Sequence, residues 1–560
     1  MVVVYTYSEI TPVDLAPYGA YESMTSWLDG RYGLFFRAEH VVYPSFEHVT
    51  DSVTLQSVDA LDGLLQSAIP LPLSGGWAFA FSRAQLSNGD FVQTAGGFGG
   101  AAGAFRSVLQ VLHPNGTART AEIAIGADRT GATDHVRAQG LASGGFLVSW
   151  SQFDAAHPAN GWQDRFQFFD NRGQSTGGPV TNDRPGNQSF PELALLNNGN
   201  IVLTSLDDEG SRALLHLQVM ARDGTAVSGL VPVDNRDSGY ISDPHVVALS
   251  LGGFVLQWST TDLDPLTHLT TRSIVLRVFN ADGTARSDRI LVEAGASGSG
   301  FFDIVQSASL VALPDGRFAL GWSHQLPDGA GQPVSQHHLQ LFAASGATDS
   351  LRYNLGENDG LVSGRDLVAL ADGRLAASWY HNEALETQIF DSRDHAIRLA
   401  GNALGDSYVG TTFNDTIGGV AGNDTIAGWS GADHLYGGRG ADRLYGDTGN
   451  DRLFGGKGAD VIFSGKGNDL ITGGAGDDSL NGDLGKDTFV FAPTDGHDQL
   501  TGFAHAIDRL DLRAFHFASF DAAASHFATQ TDGVLFTLGS DSVSVLGLTM
   551  AQLNAADLIL

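Results

Sequence analysis

The chain has 560 residues, a formal net charge of −32 and no cysteine. So acidic a surface repels phosphate and argues against nucleic acid and anionic membranes as partners, leaving cations as the better expectation. Hydrophobic residues make up 42%, enough for the chain to fold, and without cysteine no disulfide holds it, which suits secretion without oxidative folding but fits a cytoplasmic chain equally.

The start, MVVVYTYSEI, has no basic region, long apolar run or cleavage site, so no N-terminal export signal is expected there. No run of about 18 apolar residues occurs, so no membrane span is expected either.

Over residues 1–400 one pattern recurs seven times: a turn glycine, one residue, then an apolar residue. The copies are LDGRYGLFF, SNGDFVQT, SGGFLVSW, NNGNIVLT, LGGFVLQW, PDGRFALGW and ADGRLAASW, at intervals of 53 to 64 residues. Four positions after the apolar residue stand Phe36, Trp150, Trp258, Trp322 and Trp379. A second pattern alternates with the first: LQVLHPNG, FQFFDNRG, LQVMARDG, LRVFNADG, LQLFAASG and TQIFDSRD. Asp-Gly, Asn-Gly and Gly-Gly between alternating apolar runs signal hairpins. Two hairpins per unit make four strands, and about seven such units predict a β-propeller, with the early strand VVVYTY pairing onto the last blade. Six or eight blades, or two stacked sandwiches, are the alternatives, and the even spacing disfavours the sandwiches.

No catalytic constellation stands out in this region. GQSTG, residues 173–177, fits the pattern of a nucleophile elbow, but Ser175 follows a hairpin turn rather than preceding a helix. His337 and His338 lead into a strand. Asp262 and Asp264, and Asp207, Asp208 and Glu209, are expected in solvated loops. PDGRFALGW is similar to the Asp-box turn of sialidases, which is structural in that family. The recurring tryptophans are expected to pack between blades.

From residue 401 the period changes to nine. Aspartates fall at Asp406, Asp415, Asp424, Asp433, Asp442, Asp451, Asp460, Asp469, Asp478 and Asp487 without a break. Two positions after each comes an apolar side chain, from Tyr408 to Phe489, and glycines precede most copies, as in GGRGAD and GGAGDD. Three residues suffice for a very short strand with its central side chain inward, and glycine permits the positive φ of the turn that follows. Two repeats then make one coil, and coils stack as a parallel β-helix with a thin core. Aspartates two repeats apart would repel unless a hard divalent cation bridged them with turn carbonyls.

This segment resembles the RTX family, secreted bacterial proteins with calcium-binding nonapeptide repeats. The resemblance implies a calcium β-roll in which Asp424 pairs with Asp442, Asp433 with Asp451, and so on to Asp469 with Asp487. Asp406 with Asp424 and Asp415 with Asp433 fit less well, since GNALGD and GTTFND lack the second and third glycines of the repeat. It also implies a segment disordered without calcium and folded with it.

Residues 491–560 resemble the serralysin-type cap of the roll, with GVLFTLGSDSVSVLGL (533–548) reading as a hairpin and no H-E-x-x-H protease motif anywhere. The end Asp557–Leu560 resembles a type I export signal. An all-β protein of three domains is therefore expected: a propeller over 1–400, the roll over 401–490 and a cap over 491–560. The expected function is a secreted, calcium-dependent binding or structural protein, exported by type I machinery and interacting with extracellular glycan or with itself. The alternative is a secreted polysaccharide hydrolase or lyase with its site on the propeller face.

Overall fold

The computed structural model describes residues 5–6, 11–13, 20–26, 32–42, 47–58, 69–71 and 80–99, and residues 104–560 apart from short segments between strands and single positions 371, 394, 402 and 404. It is all-β, with a 3-10 turn at Arg513–Phe515 and one five-residue helix, Phe520–Ala524, among the described residues. The chain divides into two compact units, with the boundary between Ser392 and Arg393.

The first unit is propeller-like. Six four-stranded sheets follow one another as meanders, and a seventh combines Arg365–Ala369, Leu375–His381 and Ala384–Asp391 with the N-terminal strands Tyr5–Thr6 and Thr11–Val13. Tyr5 lies opposite Asp391 and Thr6 opposite Phe390, antiparallel, so the beginning of the chain completes the last sheet. We number these blades 1 to 7, starting from the sheet that begins at Ala20. Their leading strands pack against each other in cyclic order, and that of blade 7 returns to that of blade 1. Closure of this kind leaves few free strand edges.

The two sequence patterns are the two central strands of each blade meeting face to face. The apolar residue after the turn glycine of the first pattern pairs with the last apolar residue of the second: Phe146 with Phe169, Phe254 with Phe279, Phe318 with Phe342. Each pair stacks at 5.1 Å between ring centroids, a cross-strand contact worth roughly 0.5–1.5 kcal/mol beyond its burial. The tryptophans serve the contacts between blades. Trp258 is fully buried among Leu206, Leu217 and Val219 of blade 4, and its indole N–H donates to Asp234 of that blade at 2.8 Å.

The second unit is a parallel β-solenoid. Its strands are mostly three to six residues long and pair in register with those 18 residues away, as Thr416 with His434, Arg452, Leu470 and Thr488 in turn. Two main sheets result, of eight and nine strands, the second ending in antiparallel strands, and a two-stranded sheet pairs Lys466–Gly467 with Leu484–Gly485. Between the two main sheets the residues two after each aspartate form the core, with Ile417, Leu435, Leu453 and Ile471 on one side, Ile426, Leu444, Ile462 and Leu480 on the other, all fully buried. The stacking is close enough to require glycine in the turns. Gly458 has φ +130°, and a Cβ there would run into the Gly440 carbonyl of the coil before. The hairpin expected at 533–548 is present as Gly533–Leu538 against Asp541–Leu546. Leu558–Ile559 pairs with Leu510–Asp511, so the stretch that resembles an export signal is a strand of the solenoid, with Asp557 fully buried.

Candidate metal centre

Each aspartate of the nine-residue series sits at the entry to a short strand, of six residues after Asp433, Asp451 and Asp469. All ten are buried, none more than 3% exposed. The stacking places one carboxylate above the next at steps of 18 residues, and from Asp415 on one oxygen of each is used by the backbone. The Oδ1 of Asp424 accepts from the N–H of Asp406 at 2.7 Å, that of Asp442 from Asp424 at 2.8 Å, and that of Asp460 from Asp442 at 2.8 Å. The other column runs likewise from Asp415 through Asp433, Asp451 and Asp469 to Asp487.

The second oxygen is the telling atom. The Oδ2 atoms of Asp424, Asp433, Asp442, Asp451, Asp460, Asp469, Asp478 and Asp487 are all buried without a hydrogen-bond partner. A buried charged acceptor left unpaired costs more than the ~1–3 kcal/mol of a neutral one. Four in register in each column therefore call for a shared partner, and a hard cation with oxygen ligands fits that demand. Among the described residues no three His, Cys, Asp or Glu side chains converge as a metal cluster. The carboxylates come one per turn, so a bound ion would also draw on backbone carbonyls, as calcium readily does.

The cost of burying these charges is visible in their proton affinity. Desolvation pushes Asp433 up to about 8 and Asp424, Asp451, Asp460 and Asp487 up to about 7, with neighbouring carboxylates of the column adding to it. Asp478 is raised to about 6, and Asp442 and Asp469 are raised as well, by desolvation above all. In the cation-free protein such carboxyls hold a proton more tightly folded than unfolded, where the ordinary value is 3.8. Protonation thus stabilises the solenoid fully below about pH 3.8, and that stabilisation is lost as pH rises through about 7 to 8. In chelator, this unit is expected to keep its fold at about pH 5 and to lose it as pH rises to about 8. With calcium in excess the pH dependence should reverse, because ligand oxygens bind metal deprotonated. Melting curves by circular dichroism decide it, and a chelated solenoid that melts earlier at the lower pH contradicts the assignment.

The two earliest aspartates differ from the rest. Asp415 joins the backbone ladder, but Thr411, standing where the repeat has its second glycine, donates its N–H at 2.5 Å and its hydroxyl at 3.0 Å to the Asp415 carboxylate. The Asp415 Oδ1 also takes the N–H of Ile397 at 2.8 Å. Both oxygens are therefore used within the protein. Asp406 donates its N–H to the column and is not among the unpartnered oxygens.

At the other end the ladder outlasts the nine-residue register. The N–H of Asp478 donates to Asp498 at 3.0 Å and that of Asp487 to Asp508 at 2.9 Å. Asp498 is raised to about 8 by desolvation. Both are followed two positions on by a buried leucine, Leu500 and Leu510, which is the one trace of them in the sequence. Where the residue before the aspartate is asparagine, it adds a second tie between coils: Asn414 accepts from Ala432, Asn423 from Ala441, Asn450 from Asn468 and Asn468 from Lys486, at 2.7–2.9 Å.

Elsewhere the sequence candidates resolve as structure. Ser175 is bridged to Phe169 across the hairpin turn of blade 3. His337 is buried with its Nδ1 2.7 Å from the Ser323 hydroxyl, and His338 packs 5.3 Å from the Trp322 ring. Asp207, Asp208 and Asp262 belong to strands Ile201–Asp208 and Phe254–Leu263 rather than to loops, and Asp207 faces His216 at 2.9 Å. Asp264 and Glu209 lie outside the described residues.

Residues 401–489 match the model of the RTX calcium-binding nonapeptide repeat in four overlapping copies, 401–435, 409–444, 436–471 and 454–489. No curated protein matches the chain. Among solved structures the chain is similar to the α-L-arabinanase of Penicillium chrysogenum, at 13% identity over 56% of this chain and 93% of that one, with a TM-score of 0.36. It is similar to the polysaccharide lyase Uly1 at 10% identity over 68% and 91%, TM-score 0.41. A third is the endo-arabinase of Bacteroides thetaiotaomicron, at 14% over 44% and 89%, TM-score 0.25. At this distance nothing of those enzymes' chemistry transfers to the present chain.

Proposed function

We propose that this chain, whose residues 401–489 carry RTX calcium-binding repeats, is an extracellular, calcium-dependent binding or structural protein with its propeller-like unit as the interaction platform. The observation that carries the proposal is the pair of columns, four buried carboxylate oxygens in each, without a partner. Asp424, Asp433, Asp442, Asp451, Asp460, Asp469, Asp478 and Asp487, with the turn carbonyls, are the proposed calcium ligands. Calcium, when bound, supplies the positive charge that the columns lack. Asp406 is a proposed end ligand by its place in the series, and Asp415 serves as the polar end of its column.

Extracellular calcium modules bind at roughly 10⁻⁴ to 10⁻³ M. A site of that affinity is empty in a cytosol and filled outside the cell, so the proposed fold switch coincides with export. Type I machinery is the proposed route, and 491–560 the proposed cap that carries the export signal. Outside the cell the proposed partner of residues 1–400 is a glycan or another copy of the chain.

The proposal is tested by incubating the full chain with immobilised extracellular polysaccharides in millimolar calcium and in chelator, and assaying the supernatant for released fragments. Retention in calcium, lost in chelator, with no fragments released, is the expected result. Steady release of reducing ends or of unsaturated uronates would instead establish the hydrolase or lyase reading.

A further inference from the structure

A polar position recurs on the leading strand of the blades, four residues before the leucine that opens each hairpin turn. It is Ser82 in blade 2, Arg137 in blade 3, Glu192 in blade 4, His245 in blade 5 and Ser309 in blade 6. Where it is serine, it ties one blade to the next. The Ser82 hydroxyl accepts the N–H of Ala138 at 2.9 Å, and that of Ser309 accepts the N–H of Leu367 at 3.1 Å. In blades 3 to 5 long charged or titratable side chains replace the small tie. There the structure holds a cavity of about 550 Å³, lined by Arg137, Glu192, Asp243 and His245 among others.

Three observations mark this cavity as built for a ligand. First, the leading strands of blades 3 to 6 each bulge just before the recurring position, at Asp134/Arg137, Ser189/Glu192, Ser242/His245 and Gln306/Ala308, so that in blades 3 to 5 the bulge aims a long side chain where blade 6 has a serine. Bulges re-aim side chains and are over-represented beside functional sites. Second, Asp243 is held at φ 51°, a costly conformation for a residue other than glycine, by hydrogen bonds from the Ser242 hydroxyl at 2.9 Å and Arg272 at 3.0 Å. Third, the Ser149 hydroxyl lines the cavity, is 1% exposed, and has no hydrogen-bond partner.

The charges are balanced in place. Arg137 faces Glu192 at 3.5 Å and Arg272 faces Asp243 at 3.0 Å, so neither a bare cation nor a free phosphate is favoured. By register, Leu193 and Val246 stand in blades 4 and 5 where Ala138 stands in blade 3, and both line the cleft. Acceptors on two carboxylates and a serine thus stand with the guanidinium donor of Arg137, beside the apolar rings of Pro191 and Pro244. Vicinal hydroxyls on a compact ring match that set, and the volume lies within the range of small-molecule sites. We propose that the cleft between blades 3, 4 and 5 binds a short neutral saccharide, with Glu192 and Asp243 accepting from paired hydroxyls and Arg137 donating. The inference rests on the reading of this unit as an interaction platform, and it locates the platform's site.

The test uses the full chain in millimolar calcium, titrated calorimetrically with cellohexaose, xylohexaose and maltohexaose, and with polygalacturonate as the charged comparison. At least one neutral hexasaccharide should bind. Glu192→Gln and Asp243→Asn should each weaken it tenfold or more with an unchanged melting curve, whereas Ser309→Ala should leave it intact. Binding of the corresponding polymer but not of the hexasaccharide would also overturn the short-saccharide assignment. The cleft is ruled out if no neutral sugar binds, or if both isosteric variants bind like the parent. If the parent chain still holds a polysaccharide in those cases, the platform reading survives and only its location fails. An isosteric variant whose melting curve drops is replaced by Arg137→Lys, which must then weaken binding for the inference to stand.

Discussion

Chelating calcium from the full-length chain near neutral pH is expected to unfold residues 401–490 while the blades keep their structure. The solenoid's apolar core is one side chain wide per strand, and beside it run eight buried carboxylate oxygens with nothing to neutralise them. Burying a charge without a partner is among the costliest events in a fold. A core so thin for its length cannot offset eight of them. At ten to a hundred times Kd each bound ion adds ~1.4 to 2.7 kcal/mol, and several in a row decide the outcome. The blades rest on something else: between blades 4 and 5 alone, fourteen buried side chains form one cluster, with no unpaired carboxylate in it. Limited proteolysis read by mass spectrometry separates the two. Cuts confined to the repeat segment in chelator, and suppressed by millimolar calcium, are the expected pattern. Equal resistance of 401–490 in both conditions would contradict it.

Replacing Asp460 by asparagine should have opposite effects with and without the cation. The Asp460 Oδ1 accepts the N–H of Asp442 at 2.8 Å, and an amide oxygen preserves that bond. What the substitution removes is the charge, which desolvation and the flanking Asp478 and Asp442 make costly enough to raise its carboxyl to about 7. In chelator Asp460→Asn should therefore shift the solenoid's equilibrium towards the folded side, slowing exchange there, because the desolvated charge is gone. In calcium the same change should destabilise it by ~1.4 to 2.7 kcal/mol for each ion lost. Hydrogen exchange of the amides around residue 460, measured in both conditions, gives the sign. An asparagine that destabilises in both means that Asp460 is merely structural.

Much of this architecture was legible because short periods speak plainly. Nine-residue spacing fixes which side chains share a face, so Leu435, Leu453 and Ile471 are readable as core from their spacing alone. The hairpin patterns were readable because glycine turns and alternating apolar runs report local geometry, and the stacked pairs such as Phe254 with Phe279 follow from them. Three features were not legible, each for a physical reason. Asp498 and Asp508 continue the column after gaps of eleven and ten residues, because the longer loops there loop out and return to register. Asp415 looks like any other copy until Thr411 is seen to use up its carboxylate. Arg137, Glu192 and His245 stand more than fifty residues apart and become neighbours only through the packing of consecutive blades. Asp207 and Asp262, expected in loops between strands, lie instead at the ends of strands Ile201–Asp208 and Phe254–Leu263.

The central claim is that the carboxylate columns are rows of calcium sites coupled to folding. Native mass spectrometry of the full chain across a calcium titration, with hydrogen exchange of residues 401–490 followed in the same samples, tests it most directly. The account predicts that several calcium ions bind per chain and that amide protection in 401–490 rises in step with their number. Protection that is complete before any ion binds, or a chain that takes up no calcium at millimolar concentration, would contradict it.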